Sequence, residues 1–139
     1  MGNYQSIQKA NFEDVQQAIA QRNTTILIST MPTHETCLIF GTTPFSMEEE
    51  LINNLLTKKQ KDVVILVYGR NTNDESVVTK YKQLQSLGFS NVYVYLGGMF
   101  EWLLLQEVYG PGNFQTTAKE LDILKYKPAK SFGARLLTF

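Results

Sequence analysis

The residues most suggestive of chemistry lie in VVILVYGRNTNDES, positions 63 to 76 of a 139-residue chain. An aliphatic, β-branched run ends in Tyr68-Gly69, a polar loop follows, and a helix opens behind it. A strand that feeds a tight loop into a helix N-terminus gathers free backbone N–H groups, the usual setting for an anion cradle or an activated nucleophile. The loop residues Gly69, Arg70, Asn71, Thr72, Asn73, Asp74, Glu75 and Ser76 offer a guanidinium, amides, hydroxyls and two acids, but no thiol and no imidazole. Ser76 or Thr72 as nucleophile would need an adjacent base, and the loop supplies no histidine. The single cysteine, Cys37, and the single histidine, His34, stand upstream. Cys37 reads as a small, semi-buried apolar side chain. His34 follows Pro-Thr in a polar, solvated loop. One cysteine excludes an internal disulfide, and with one histidine no zinc constellation can be assembled, so no metal and no cofactor is expected.

The elements that must position this loop are legible on either side of it. VVILVY is a nearly continuous apolar run, the mark of a strand buried on both faces of a parallel sheet, and is expected to be the central strand. NFEDVQQAIAQ, from Asn11, places Phe12, Val15, Ala18 and Ile19 on one helical face, with two acids where the dipole favours them. TTILIST, 24 to 30, has the β-branched density of a strand that Met31-Pro32 should end. After the short apolar segment 37–40, Ser46 and Glu49 have the spacing of a capping box ahead of an apolar helical stripe. Lys58, Lys59 and Lys61 close that helix at its negative pole. Thr72 and Glu75 form a second such pair, before a helix carrying Val77, Val78, Tyr81, Leu84 and Leu87 and closed by Gly88 as its left-handed residue. NVYVYL, 91 to 96, is a strand. Gly97-Gly98 turns into the strongly apolar helix MFEWLLLQEVY, where Trp102 and Phe100 should fill the space between helix and sheet, stopped by Gly110-Pro111-Gly112. Alternation at this spacing predicts one α/β domain, with a mainly parallel central sheet and helices on both faces. Past Phe114 the periodicity weakens, and LDILKYKP and ARLLTF read as extended segments docked on the domain.

Composition narrows the function classes. Apolar residues make up 43% and charged residues 19% of the chain, an ordinary globular balance. Thirteen basic and thirteen acidic side chains cancel, so no global field would recruit nucleic acid. No apolar run approaches the roughly 18 residues of a spanning helix, and no signal-peptide core follows Met1. Cysteine usage and the missing signal point to a reducing, cytoplasmic compartment.

LQSLGFSNVYVYLGGMFEW, 84 to 102, resembles the second half of a rhodanese-homology domain: a helix ends in Leu-Gly-Phe, a strand follows, and Gly97, Gly98 and Trp102 supply a Gly-Gly-x-x-x-Trp motif. VVILVYG is similar to that family's central strand, which runs through an aromatic into the catalytic cysteine. ILIST resembles the strand that usually ends in Asp-Val-Arg, and CLIFGTTPF a diverged His-Ile-Pro-Gly-Ala stretch retaining Ile39 and Gly41. The resemblance covers 11 to 112, leaving 1 to 10 as a leader and 113 to 139 as a C-terminal extension.

In that family a cysteine thiolate, held by loop N–H groups and an arginine, takes sulfane sulfur from a donor such as thiosulfate and keeps it as a persulfide. Carried over by position, the cysteine site is Gly69, which has no nucleophile. The arginine that commonly precedes the hydroxyl residue is Glu75 here, before Ser76. The loop is also one residue longer than in typical sulfurtransferases and nearer that of related phosphatases. A helix N-terminus attracts an anion by about 0.3–1 kcal/mol, whereas a like charge about 4 Å away costs on the order of 1–4 kcal/mol at dielectric values between water and the protein surface. Asp74 and Glu75 therefore favour a helix cap over an anion site. The resemblance implies a catalytically inactive rhodanese-like domain used as a protein-interaction or regulatory module; the alternative is a sulfurtransferase or phosphatase-like enzyme with a displaced catalytic group, Cys37 being the sole thiol. Independently, MGNYQS fits the Met-Gly-x-x-x-Ser/Thr pattern for N-myristoylation at Gly2, with Ser6 at the favoured place. A single acyl chain binds membranes only marginally, so the pattern implies weak, reversible membrane association.

Overall fold

The computed structural model describes residues 7–132. Its elements alternate along the chain: β1 (Lys9–Ala10), α1 (Phe12–Ala20), β2 (Thr25–Ser29), α2 (Phe45–Thr57), β3 (Val64–Tyr68), α3 (Glu75–Ser86), β4 (Val92–Tyr95), α4 (Gly98–Tyr109) and a 3-10 turn, Ile123–Tyr126. The four strands form one all-parallel sheet in the order β1-β4-β3-β2. The apolar run of β3 is an inner strand, and its side chains alternate between two cores. Ile65 and Val67 join Ile28, Val92 and Val94 beneath α2 and α3, which contribute Ile52, Leu55, Val77, Tyr81 and Leu84. Leu66 and Tyr68 join Leu27 and Tyr95 on the opposite face, under Val15 and Ala18 of α1 and Met99, Trp102 and Leu103 of α4. Helices thus cover both faces, as an uninterrupted apolar strand requires.

Local chemistry sets the helix ends. Asn11 accepts from the Asp14 N–H while the Asp14 carboxylate accepts from the Asn11 N–H, a reciprocal cap on α1. The expected box at Ser46 and Glu49 does not form. Pro44, with φ −57° already suited to helix entry, is the N-cap two residues earlier and no side chain caps it, while the neighbouring Glu48 pairs with Lys80 of α3 at 2.7 Å. The pair Thr72 and Glu75 is also superseded: the residue that caps α3 is Asp74. Leu87, placed on the apolar face of α3 from its spacing, is exposed, because it lies at the C-cap after the helix has ended.

α2 and α3 close with the same pair of bonds. Gln60 N–H reaches Leu55 O and Lys59 N–H reaches Leu56 O; Phe89 N–H reaches Leu84 O and Gly88 N–H reaches Gln85 O. The left-handed position is Gly88 in one and Lys59, at φ 57°, in the other.

The tail returns across the domain. Phe40 N–H donates to Gln115 O and Thr117 N–H to Leu38 O, an antiparallel contact centred on Ile39 and Thr116. Trp102 donates its indole N–H to Gln115 O, and Phe114 packs edge-on against the Trp102 ring. LDILKYKP is not extended: Ile123–Tyr126 is a 3-10 turn packed against α4 with Tyr126 fully buried. Ile123 and Tyr126, three residues apart, pack against the core while Leu121 and Leu124 face solvent, a 3-10 spacing that strand alternation would not give. ARLLTF and Gly2 lie outside the described residues.

Candidate functional site

The loop after β3 sits at the carboxyl ends of the strands, where open α/β sheets place their ligands. Its interior is filled by one side chain. The Asp74 carboxylate turns back into the loop: Oδ2 accepts from Arg70 N–H at 2.9 Å, and Oδ1 accepts from Ser76 N–H at 3.1 Å and from the Ser76 hydroxyl at 2.6 Å. Ser76 Oγ also lies 2.8 Å from Thr30 Oγ1, at the end of β2. The next turn is internally satisfied as well, with Asn73 N–H on Asn71 Oδ1 and Asp74 N–H on Asn71 O. Thr72, Asn73 and Glu75 are exposed at the rim.

Gly69 belongs to this arrangement through space rather than backbone. Its φ is not positive, yet a Cβ added there would stand 2.4 Å from Asp74 Oδ2 and 2.6 Å from Val77 Cγ2. The volume that a side chain at 69 would use holds the Asp74 carboxylate. From the other side, α4 presses onto the same loop: Met99 N–H donates to Gly69 O and Phe100 N–H to Arg70 O, both at 2.9 Å. That approach requires Gly98, where φ is 63° and an added Cβ would meet Gly69 O at 2.7 Å.

The outward loop side chains hold the tail. Arg70 Nη2 donates to Lys125 O, and Asn71 Nδ2 donates to Tyr126 O at 2.8 Å. The Arg70 guanidinium and the Lys125 ammonium lie 5.8 and 5.1 Å from the Tyr126 ring centroid. Tyr126 donates its hydroxyl to Glu35 Oε2 at 2.8 Å, and Glu35 also accepts from Cys37 N–H and faces Lys125 Nζ at 3.4 Å. Burial alone would raise the Glu35 pKa, but the Tyr126 and Cys37 hydrogen bonds and the Lys125 charge outweigh it and hold the carboxyl below its ordinary range. Burial, the bond to Glu35 and its charge raise that of Tyr126.

Cys37 is 1% exposed and donates its thiol to Ala118 O. Burial first, then the charges of Glu120 and Glu35, push the thiol up to about 11, so it stays protonated and a poor nucleophile near neutral pH. His34 is exposed. Tyr68, just before the loop, is fully buried and pushed up to about 12 by desolvation. Its hydroxyl accepts from Ile39 N–H and lies 2.7 Å from Thr42 Oγ1, tying β3 to the segment around Cys37. Trp102 is fully buried and Phe100 packs against the same core. Among the described residues no group of three or more potential ligands could hold a metal ion, and no helix is long and apolar enough to cross a membrane.

The family model described as the rhodanese-like domain matches residues 37–105. The chain carries a rhodanese-like domain. Solved structures with the same fold include the BH2092 protein of Bacillus halodurans (TM-score 0.56, 16% identity, 94% of this chain and 89% of that one). The rhodanese-like domain of the Alr3790 protein of Anabaena sp. is similar too (TM-score 0.52, 20% identity, 91% and 88%). So is an uncharacterized protein of Saccharomyces cerevisiae (TM-score 0.52, 18% identity, 72% and 93%). No curated protein matches. At these identities the neighbours speak to the fold alone. In this rhodanese-like domain the loop after the central strand is the expected place for chemistry, and it is there that Gly69 and Asp74 meet. Sequence reasoning singled out the loop but not Glu35, Lys125 or Tyr126, which close over it. The signal for them was Tyr126, three positions after Ile123 in the LDILKYKP stretch.

Proposed function

We propose that this chain is a catalytically inactive rhodanese-like domain that serves as a protein-interaction or regulatory module, tethered reversibly to membranes through a myristoylated Gly2. The observation that carries this reading is the Asp74 carboxylate, which takes the loop donors Arg70 N–H, Ser76 N–H and the Ser76 hydroxyl. An incoming thiosulfate or phosphate would have to displace a tethered anion that has no cost of association. With Gly69 in the cysteine position and the only thiol buried and protonated, no group near the loop can carry sulfane sulfur. The Cys37 alternative is correspondingly disfavoured. The partner is a protein rather than a nucleic acid, since the chain has no net charge with which to attract phosphates.

The test is to incubate the protein with thiosulfate and cyanide, assay thiocyanate, and look by intact mass for one added sulfur atom. Neither product is expected. Turnover that disappears in Cys37→Ala would overturn the reading. For the acyl group, metabolic labelling with a myristate analogue in a eukaryotic host should mark the wild type and spare Gly2→Ala; equal labelling of both removes that part.

A further inference from the structure

The chain past Thr117 is attached to the domain differently from everything before it. Among the described residues, Thr117 N–H on Leu38 O is the last main-chain bond between the tail and the domain. Between Lys119 and Phe132, every hydrogen bond that leaves the segment runs through Lys125 or Tyr126. Arg70 and Asn71 donate to two consecutive main-chain carbonyls, those of Lys125 and Tyr126. The Tyr126 ring fills a seat closed to solvent, with the Arg70 guanidinium beside its face. At the end of the seat stands Glu35, whose side chain is only 9% exposed; it accepts the Tyr126 hydroxyl at 2.8 Å and faces the Lys125 ammonium at 3.4 Å. Ile123, three positions earlier, adds apolar packing, while Leu121, Leu124 and Lys127 face solvent. A recognition site holds a peptide in this way: donors read the backbone and a pocket reads one side chain.

We propose that the seat formed by Arg70, Asn71 and Glu35 is a peptide-recognition site, occupied in cis by residues 119–127. Its ligand in trans is a segment of a partner protein with a tyrosine, a cation immediately before it and an apolar residue three positions before it. The site gives the interaction module proposed above its docking surface and rests on that reading. The chemistry of the ligand is that of the present occupant, Ile123-Leu124-Lys125-Tyr126. Tyrosine is preferred over phenylalanine because the buried Glu35 oxygen would otherwise lose a donor. Phosphotyrosine is rejected, since its charge would meet the Glu35 carboxylate. The short tether holds the tail at an effective concentration of about a millimolar. A partner therefore enters only as the segment lifts, and the tail acts as a built-in competitor.

The test uses the full chain and a fluorescent peptide with the sequence of residues 119–130, binding being read by anisotropy. Wild type, whose seat is filled, should bind it weakly, and Tyr126→Ala should bind it about tenfold more tightly or better. Tyr126→Phe keeps the ring and loosens only the bond to Glu35, so it should fold even where the alanine variant does not, and bind severalfold more tightly than wild type. In either variant, a peptide phosphorylated at the tyrosine should bind about tenfold more weakly, and adding Arg70→Ala should weaken the unmodified peptide severalfold. No gain in affinity in the folded variants, equal affinity for the phosphorylated peptide, or a wild type that dimerises with rising concentration by exchanging tails would each overturn the proposal. The thiocyanate assay and the acyl labelling are blind to this seat, so a failure of either is distinguishable from a failure here.

Discussion

Gly69→Cys, the change that restores the family's nucleophile by type, should destabilise the protein, and the size of the effect follows from two distances. The new Cβ would lie 2.4 Å from Asp74 Oδ2 and 2.6 Å from Val77 Cγ2. Overfilling a packed site costs about 1–3 kcal/mol. Driving the carboxylate out also removes the α3 cap and the acceptor of Arg70 N–H, about 1–2 kcal/mol more. A total of about 2–5 kcal/mol should lower the melting temperature by roughly 6–18 °C in a chain of this size. Asp74→Ala alone should cost about 1–2 kcal/mol. Once the carboxylate is gone, however, two of the three nearest contacts of the new Cβ are lost and Val77 Cγ2, the end of a side chain, remains, so its cost should fall to about 1 kcal/mol. Urea denaturation of the four proteins closes a double-mutant cycle, with an expected coupling of about 1–4 kcal/mol. If the two changes add to within about 0.5 kcal/mol, the carboxylate does not occupy the side-chain volume of residue 69 and the reasoning fails. Incubation with thiosulfate supplies a second readout: sulfur should be taken up, if at all, by the double variant and not by Gly69→Cys alone.

Three further outcomes follow from the end of α2 and from the tail contacts beside the loop. Lys59→Gly should stabilise by about 0.5–1 kcal/mol in urea unfolding, because it relieves the left-handed φ of 57° without disturbing the two closing bonds of α2. Tyr126→Phe should cost about 1–2 kcal/mol by removing the hydroxyl that satisfies Glu35, and limited proteolysis should then cut the tail after Phe114 faster than in the wild type. Because the Glu35 pKa is lower in the folded state than in the unfolded one, its contribution is complete above the ordinary carboxylate range and is lost as pH falls through the lowered folded value. Glu35→Gln should flatten that acid limb of the stability profile and leave its slope above pH 6, a point about two units over the ordinary value, unchanged.

The parallel sheet was legible because burial on both faces leaves no alternation, and Ile65 to Tyr68 show none. The two S/T-x-x-E spacings misled for a physical reason. Such a pair can form a box, but the cap is chosen by where the chain enters the helix, which Pro44 decides at α2 and the return of Asp74 to Arg70 N–H decides at α3. Sequence weighed Asp74, with Glu75, as a like charge that favours a helix cap over an anion site, and Asp74 is indeed the cap of α3. Its role as the occupant of the loop depends on a rotamer and on the vacancy at Gly69, neither of which local pattern encodes. The seat of Tyr126 depends on Glu35, 91 positions away, a pairing that no periodicity can reveal.

The antiparallel contact between segment 38–40 and segment 115–117, with Phe114 and Tyr126 locked behind it, ties a late stretch of chain to an early one. Loop-closure entropy of this kind is recovered only when both partners are in place. The stretch matched by the family model stops at 105 and begins after β2, so it keeps β4 on one side of β3 but lacks β2 on the other, and it lacks Phe114 and Tyr126 from the core around Trp102. Expressed by itself, that stretch would expose one edge of its central strand, a template for aggregation. In hydrogen exchange the amides of β3 and of Phe40 and Thr117 should accordingly open as one cooperative unit rather than as a stable centre with a fraying tail.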